Sequence, residues 1–143
     1  MKSIAGIAKS REQNAARILG QKRKHLVEQQ NQLDELLSYR EDYAKNFHVT
    51  GATGLNARQL SEYRVFLEKL NMAIIQQRER IKQASDDCDL FQESWMKTRT
   101  HSKALDKVVE KNKIIERKEQ DKKEQHDLDE RVTQLHAGKN DDR

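Results

Sequence analysis

The residues that could perform chemistry in this 143-residue chain are few, and their spacing does not bring them together. The five histidines include no His-x-x-x-His pair, the spacing at which a helix presents two ligands to a metal. Asp86, Asp87 and Asp89 flank the single cysteine, but on a helix they point to several faces and form no carboxylate pair for acid–base catalysis. Gly51 and Gly54 are not followed by the Gly-Lys-Ser/Thr of a phosphate-binding loop. We therefore predict that the protein is not an enzyme and that it binds no metal, cofactor or small-molecule ligand.

The elements around these residues are predicted to be long helices, because the composition leaves little material for a globular core. Charged residues make up 36% of the chain, hydrophobic residues 34% and aromatic residues 5%, and there is no proline. This composition is typical of solvated helices with a thin apolar seam, and disorder is its alternative. The sustained apolar period described below favours helices over disorder for most of the chain.

The net charge of +4 is small for 28 basic and 24 acidic residues, and the two signs are interleaved as on the outer faces of coiled coils. The densest basic run, residues 22–25, contains no aromatic residues that could stack on bases. We interpret it as a solvated helix face and expect no nucleic-acid partner. DNA binding through this run is an alternative that a steep salt dependence of binding would reveal.

Cys88 is the only cysteine, so an intramolecular disulfide is excluded and a reducing compartment is expected. The sequence has neither the pattern of a secretory signal nor a run of about 18 apolar residues. We expect a cytoplasmic protein whose contacts with a membrane, if any, are made through another protein.

Two heptad stripes, one on each side of residue 51, indicate two helices that need partners. The second stripe comprises Leu60, Tyr63, Leu67, Leu70, Ile74, Gln77, Ile81, Ala84, Cys88, Phe91, Trp95, Thr98, Ser102, Leu105 and Val109. The first is weaker because four of its positions are polar, and it comprises Ala8, Glu12, Ala15, Leu19, Lys22, Leu26, Gln29, Leu33, Leu36, Arg40, Tyr43 and Phe47. A heptad stripe cannot be buried by its own helix, so each stripe requires a partner helix.

The segment between the stripes predicts a turn, because two glycines and two threonines within residues 50–54 disfavour a helix. Asn56, followed three residues later by Gln59, is typical of a helix N-cap with its capping-box partner. Two stripes joined by a short turn predict an all-α fold, an antiparallel two-helix coiled-coil hairpin with a long C-terminal helical overhang. We predict one domain over residues 1–143, with helix 1 at about 3–47, the turn at about 48–56, helix 2 at about 57–136 and a frayed tail at about 137–143.

Pairing the two stripes outward from the turn fixes a register in which Tyr43 faces Tyr63 and Gln29 faces Gln77. Two amides can satisfy each other across a seam, whereas a slipped register would bury one of them unpaired at a cost on the order of 1–3 kcal/mol. We therefore predict that Gln29 and Gln77 set the register. A tolerated, half-exposed polar pair is the alternative.

The two predicted helices are unequal, at about 65 Å and about 120 Å for a rise of 1.5 Å per residue. About 30 residues of helix 2 after Ser102 therefore have no partner helix. Beyond Val109 the stripe gives way to charged residues, with opposite charges spaced i,i+4 such as Glu119 and Lys123. We predict that this overhang is helical but poorly anchored until a partner orders it.

Phe66 lies just off the second stripe, and Phe66, Leu70, Ala73 and Gln77 follow one flank of helix 2. An aromatic side chain exposed on a thin hairpin has nothing of its own to pack against, and such residues are typical anchors of protein interfaces. We predict that this flank binds a partner protein. Coverage of the edge of the seam is the alternative role for Phe66.

The spacing of aromatic residues around the glycine-bearing loop resembles that of a known family. The similar segments are residues 36–47, the loop itself, residues 60–67 and 70–77, and Trp95, and the resemblance extends over roughly residues 10–115. At these positions the chain resembles the flagellar export protein FliJ family. The related export protein of virulence-type secretion systems is the most similar alternative family.

The resemblance implies a soluble, stalk-like component of the flagellar type III protein export apparatus, with a role in flagellum biogenesis and chemotaxis. It implies three partners: the export ATPase hexamer, whose pore the helix termini enter; the cytoplasmic domain of the export gate; and export chaperones. By the same resemblance, Phe66, Leu70, Ala73 and Gln77 contact the gate, and the N-terminal segment with the residues after Ser102 contacts the ATPase. The implied location is cytoplasmic, peripheral to the inner membrane at the flagellar base.

Two other functions are consistent with the same pattern. A generic coiled-coil scaffold would dimerise through the long helix, whereas the stalk interpretation predicts a monomer, so the mass in solution separates them. The other is the equivalent stalk protein of a virulence type III secretion system.

Overall fold

The computed structural model describes residues 3–141 as two α-helices joined by a short loop. Helix α1 spans Ile4–Gly51 and helix α2 spans Ala57–Asp141. The part of the chain that the structure describes contains no strand. The predicted all-α hairpin of two long helices packed against each other is confirmed.

Contacts between residues divide the chain into two units. The first unit is Arg11–Thr98, and the second combines Met1–Ser10 with Arg99–Arg143. The physical reason is the distribution of apolar side chains: the first unit has a continuous core between its two helical segments, whereas most of the second unit is exposed helix.

The core of the first unit is a single seam between α1 and α2. Every predicted stripe position from Glu12 to Phe47, and from Tyr63 to Thr98, is buried or half-buried. Ile74 is the largest fully buried side chain, with 2% of its surface exposed. The heptad spacing explains this seam, because it keeps the same edge of each helix turned toward its partner over many turns.

The second unit has much less core. Ala8 and Ser102 are buried and Leu105 is half-buried. From Asp106 to Lys139 every side chain is exposed. This agrees with the predicted overhang, since a helix without a partner cannot bury its side chains.

Helix α1 ends at Gly51, four residues later than the predicted end at about residue 47. Ala52 N donates to His48 O at 3.2 Å, and Gly54 N donates to Gly51 O at 3.2 Å, so hydrogen bonding of the helical type continues into the loop. The chain leaves this path at Gly54, whose φ of 94° lies in the left-handed region that glycine tolerates. The earlier predicted end was wrong because a glycine can occupy the last turn of a helix without steric cost, and the turn is made by the second glycine.

The start of α2 has the predicted cap. Gln59 N donates to Asn56 Oδ1 at 2.8 Å, and Asn56 N donates to Gln59 Oε1 at 3.1 Å. This is a reciprocal capping box, and it satisfies two amide groups that lack partners within the helix.

The end of α2 differs from the prediction, because the helix continues to Asp141 rather than fraying from residue 137. Residues 142–143 lie outside the described part of the chain. No proline interrupts the segment, a single glycine at position 138 disfavours a helix by only about 1 kcal/mol, and Lys139 in the last turn has the charge that a helix C-terminus favours.

Candidate interaction surface

Five aromatic rings from the two helices pack together near the loop. We call Tyr39, Tyr43, Phe47, Tyr63 and Phe66 the aromatic cluster. The rings of Tyr43 and Tyr63 stack with centroids 5.2 Å apart, and Phe47 stacks on Tyr63 at 3.6 Å. Spacings of four residues in α1 and three in α2 place these rings on facing sides of the two helices. The contact between Tyr43 and Tyr63 has the register predicted from the sequence.

Phe66 packs within this cluster. Its ring centroid lies 4.5 Å from that of Tyr43 and 6.0 Å from that of Tyr39, the latter in an edge-to-face arrangement. The premise that Phe66 has nothing of its own to pack against is therefore wrong. Phe66 is half-buried, and Tyr39 is 54% exposed, so part of the cluster remains accessible to a partner.

The four residues predicted to form one partner-binding flank do not share one surface. Leu70 and Gln77 are buried in the seam, with 6% and 3% of their surfaces exposed, whereas Phe66 and Ala73 are half-buried. The correction follows from the heptad. Leu70 and Gln77 are seven residues apart and both belong to the stripe, whereas Phe66 and Ala73, also seven apart, lie beside it.

Gln77 instead forms a polar layer inside the seam. Its Nε2 donates hydrogen bonds of 2.9 Å to Oε1 and of 2.9 Å to the main-chain oxygen of Gln29. Among the described residues, no buried polar side-chain atom lacks a hydrogen-bond partner. The pairing of the two glutamines is thus present, and their role in setting the register stays a prediction.

The family model of the flagellar FliJ protein matches residues 1–141. The chain belongs to the flagellar FliJ family. Membership of this family makes the chain a component of flagellar protein export.

Two relatives support this assignment. The flagellar FliJ protein of Escherichia coli (strain K12) is 23% identical over 128 residues, which cover 90% of this chain and 87% of that protein. The flagellar FliJ protein of Salmonella typhi is 27% identical over 95 residues, which cover 66% of this chain and 65% of that protein. No solved structure matches the chain.

In this FliJ-family hairpin, an open groove lies beside Phe66. It has a volume of about 320 Å³ and is lined by Ser61, Glu62, Val65, Phe66 and Lys69. Val65 is exposed next to the half-buried ring of Phe66. Apolar side chains bordered by charged ones are the usual composition of a protein-binding patch.

Two polar stripe residues of α1 make specific contacts that the sequence did not predict. Lys22 Nζ lies 5.0 Å from the ring centroid of Phe91, and Arg40 Nη1 donates to Asn71 Oδ1 at 3.1 Å. Helical side chains lean toward the N-terminus of their own helix. In an antiparallel hairpin this direction carries both cations toward later residues of α2. This explains why Lys22 meets Phe91 rather than Ala84, the stripe residue that the predicted register places opposite it.

The described residues contain no group of three His, Cys, Asp or Glu side chains placed to hold a metal ion. Neither of the described helices contains an apolar stretch sufficient to cross a lipid bilayer. The geometry favours contacts with other proteins, through the aromatic cluster and through the exposed part of α2.

Proposed function

We propose that this FliJ-family chain is a stalk-like component of the flagellar type III export apparatus that binds the export ATPase ring, the cytoplasmic domain of the export gate and export chaperones. The observation that supports this most is the closed seam of the Arg11–Thr98 unit, which gives a folded two-helix body without a second chain. The proposed location is the cytoplasm, peripheral to the inner membrane at the flagellar base. The match to the flagellar family favours this role over a virulence-system counterpart.

The proposed contact with the ATPase ring lies in the N-terminal segment and the residues after Ser102. Exposed apolar side chains recur there at Leu128, Val132 and Leu135, which are spaced i, i+4 and i+7 on one helix face. Helices that dock in grooves of a partner use this spacing. A helix of exposed side chains can also adapt to a ring of subunits.

The test is a titration of the full chain into purified export ATPase, with ATP hydrolysis and hexamer mass as the two measurements. We expect the chain to raise both the rate and the hexamer fraction. Changing Leu128, Val132 and Leu135 together to Ala should weaken both effects. Val27, Met72 and Leu90 are exposed apolar residues of the hairpin. A matched variant in which these three residues are changed to Ala should leave both effects unchanged. Equal effects of both variants would contradict the proposed contact.

The proposed gate contact uses the exposed part of the aromatic cluster, centred on Phe66, with Ala73 beside it. Leu70 and Gln77 would support this surface from within the seam rather than touch the gate. The burial of these two residues and the groove beside Phe66 support this division of roles.

A dimeric scaffold is the alternative function, and the mass in solution decides between the two. The contacts of Tyr43 with Tyr63 and of Gln29 with Gln77 close the seam within one chain, which supports a monomer. Light scattering should therefore give 16.8 kDa at micromolar concentration. Twice that mass would favour the scaffold.

A further inference from the structure

One face of α2, between residues 103 and 122, is strongly basic. Because an α-helix turns roughly 100° per residue, five lysines fall within an arc of roughly 100° and over a length of about 30 Å. These residues, which we call the lysine face, are Lys103, Lys107, Lys111, Lys118 and Lys122. All five are exposed, Asp121 lies at one edge of the arc, and Glu110 lies just outside the same edge.

The opposite face of the same segment is acidic on balance. Away from the arc it contains Asp106, Glu116 and Glu119 with the basic residues Lys113 and Arg117, a net charge of −1. The segment therefore separates its charges across the helix. A surface of negative charge would therefore attract the lysine face more strongly than the rest of the segment.

Within the lysine face, like charges are neighbours. Lys103 with Lys107, Lys107 with Lys111, and Lys118 with Lys122 are spaced i,i+4, and like charges at this spacing disfavour a helix. Elsewhere the structure pairs opposite charges at the same spacing, as in Glu41–Lys45 at 3.3 Å and Glu93–Lys97 at 3.5 Å.

None of the five lysines forms an ion pair within residues 3–141. Acidic residues lie three positions from four of these lysines, namely Asp106, Glu110, Glu119 and Asp121, but form no ion pair with them, so the lysine side chains are free to bind an external anionic surface.

We propose that the lysine face binds an anionic lipid surface. Several lysines on one side of a helix are typical of segments that bind acidic lipids, because a plane of headgroups attracts charge without demanding a fixed geometry. Lysine is a compact point charge on a flexible stem and is depleted at protein–protein interfaces, where arginine is enriched. The exposed side chains of Ile114, within the arc, and of Ile115, at its edge, can enter the headgroup region beside the lysine stems.

This inference goes beyond the proposed function, in which other proteins mediate any contact with the membrane. The lysine face precedes the apolar residues proposed to contact the ATPase ring, Leu128, Val132 and Leu135, and shares none of them. Lipid binding can therefore be measured with the chain alone, independently of the proposed ATPase contact.

The test is co-sedimentation of the full chain with vesicles of phosphatidylglycerol and phosphatidylcholine, and with vesicles of phosphatidylcholine alone. One variant combines Lys107→Gln, Lys111→Gln and Lys118→Gln on the lysine face. The matched control combines Lys113→Gln, Arg117→Gln and Lys123→Gln on the opposite face, and it removes the same net charge. Circular dichroism of both variants checks that the helix is retained.

We expect salt-sensitive binding to the anionic vesicles only. The lysine-face variant should lose about 100-fold in partition coefficient, since each lysine near the surface contributes about fivefold. The control should change it by no more than about sixfold, because the helix diameter of about 10 Å holds its charges about one Debye length from the bilayer, where each contributes about a third as much.

Three results would overturn the proposal. The first is an equal loss in both variants, which would show a response to net charge alone. The second is equal binding to uncharged vesicles, or binding to neither. The third is an effect of the lysine-face variant on binding to a short DNA duplex without any effect on vesicles, which would identify a nucleic-acid surface instead.

Discussion

The side-chain nitrogen Nε2 of Gln77 in α2 donates two hydrogen bonds of 2.9 Å to Gln29 in α1. One goes to the side-chain oxygen of Gln29 and one to its main-chain oxygen. Gln77 is 3% exposed, so water cannot replace these partners. A slip by one layer would place Gln77 opposite Leu26 or Leu33, where no side chain can accept its hydrogen bonds. Leaving the buried amide of Gln77 without partners would cost on the order of 1–3 kcal/mol of folding free energy.

Changing both Gln29 and Gln77 to Leu should therefore leave the hairpin at least as stable but poorly defined in register. Apolar residues pack well in a heptad seam, whereas a polar layer adds specificity at some cost in stability. Spin labels at the exposed positions Gln30 and Gln76, in a Cys88→Ala background, should give a narrow distance distribution for the native pair and a broad or bimodal one for the double variant.

The control for this experiment is the volume-conserving exchange of Leu33→Ile with Ile74→Leu in an adjacent layer, which should keep the distribution narrow. A narrow distribution in the double Leu variant as well would show that the glutamines are merely tolerated and that the turn sets the register.

The reciprocal bonds between Asn56 and Gln59 predict a sharp effect of small substitutions at the start of α2. Asn56→Ala removes the acceptor for Gln59 N and should lower the free energy of unfolding by about 1 kcal/mol, whereas Asn56→Asp keeps an acceptor and should stay near the native value. Urea unfolding followed by circular dichroism measures both. If the Asn56→Ala variant and the native protein have the same midpoint of urea unfolding, then the cap contributes nothing to stability.

The seam could be predicted from the sequence because heptad spacing converts directly into burial. Leu19, Ile74, Ala84 and Cys88 are buried where the stripes place them. Leu70 and Gln77 are themselves stripe positions, so the heptad spacing alone places them in the seam rather than on a binding flank.

The aromatic cluster could not be predicted in full. Tyr39 lies one residue before the stripe position Arg40, where spacing alone indicates a side chain at the margin of the seam. Its contact with Phe66 depends on the relative rotation of the two helices, which the repeat does not specify. The sequence does contain a signal for the cluster. Tyr39 and Tyr43 lie four residues apart in α1, opposite an aromatic pair three residues apart in α2.

The two glycines of the loop should respond in opposite directions to alanine. Gly51 is helical, and a Cβ there would lie 3.9 Å from Leu55 Cδ1, an ordinary contact, so Gly51→Ala should raise stability by up to about 1 kcal/mol. Gly54 has open space around its Cβ position but a φ of +94°, so Gly54→Ala should lower stability by about 1–2 kcal/mol through the backbone alone. Thermal melts of the two variants provide the comparison, and the reverse order would show that the helix does not end as described.

Replacing Phe66 with Ala should weaken binding to the cytoplasmic domain of the export gate at least tenfold, because an aromatic anchor at an interface contributes about 2 kcal/mol or more. It should also lower the free energy of unfolding by about 1–2 kcal/mol, since the ring packs on Tyr39 and Tyr43. The two effects are separated by Ile74→Val, which lowers stability by about 1 kcal/mol from within the seam and leaves the surface unchanged. Calorimetric titration of the gate domain with each variant measures the affinities. If Ile74→Val weakens binding as much as Phe66→Ala, then the integrity of the hairpin, and not the ring of Phe66, determines the contact.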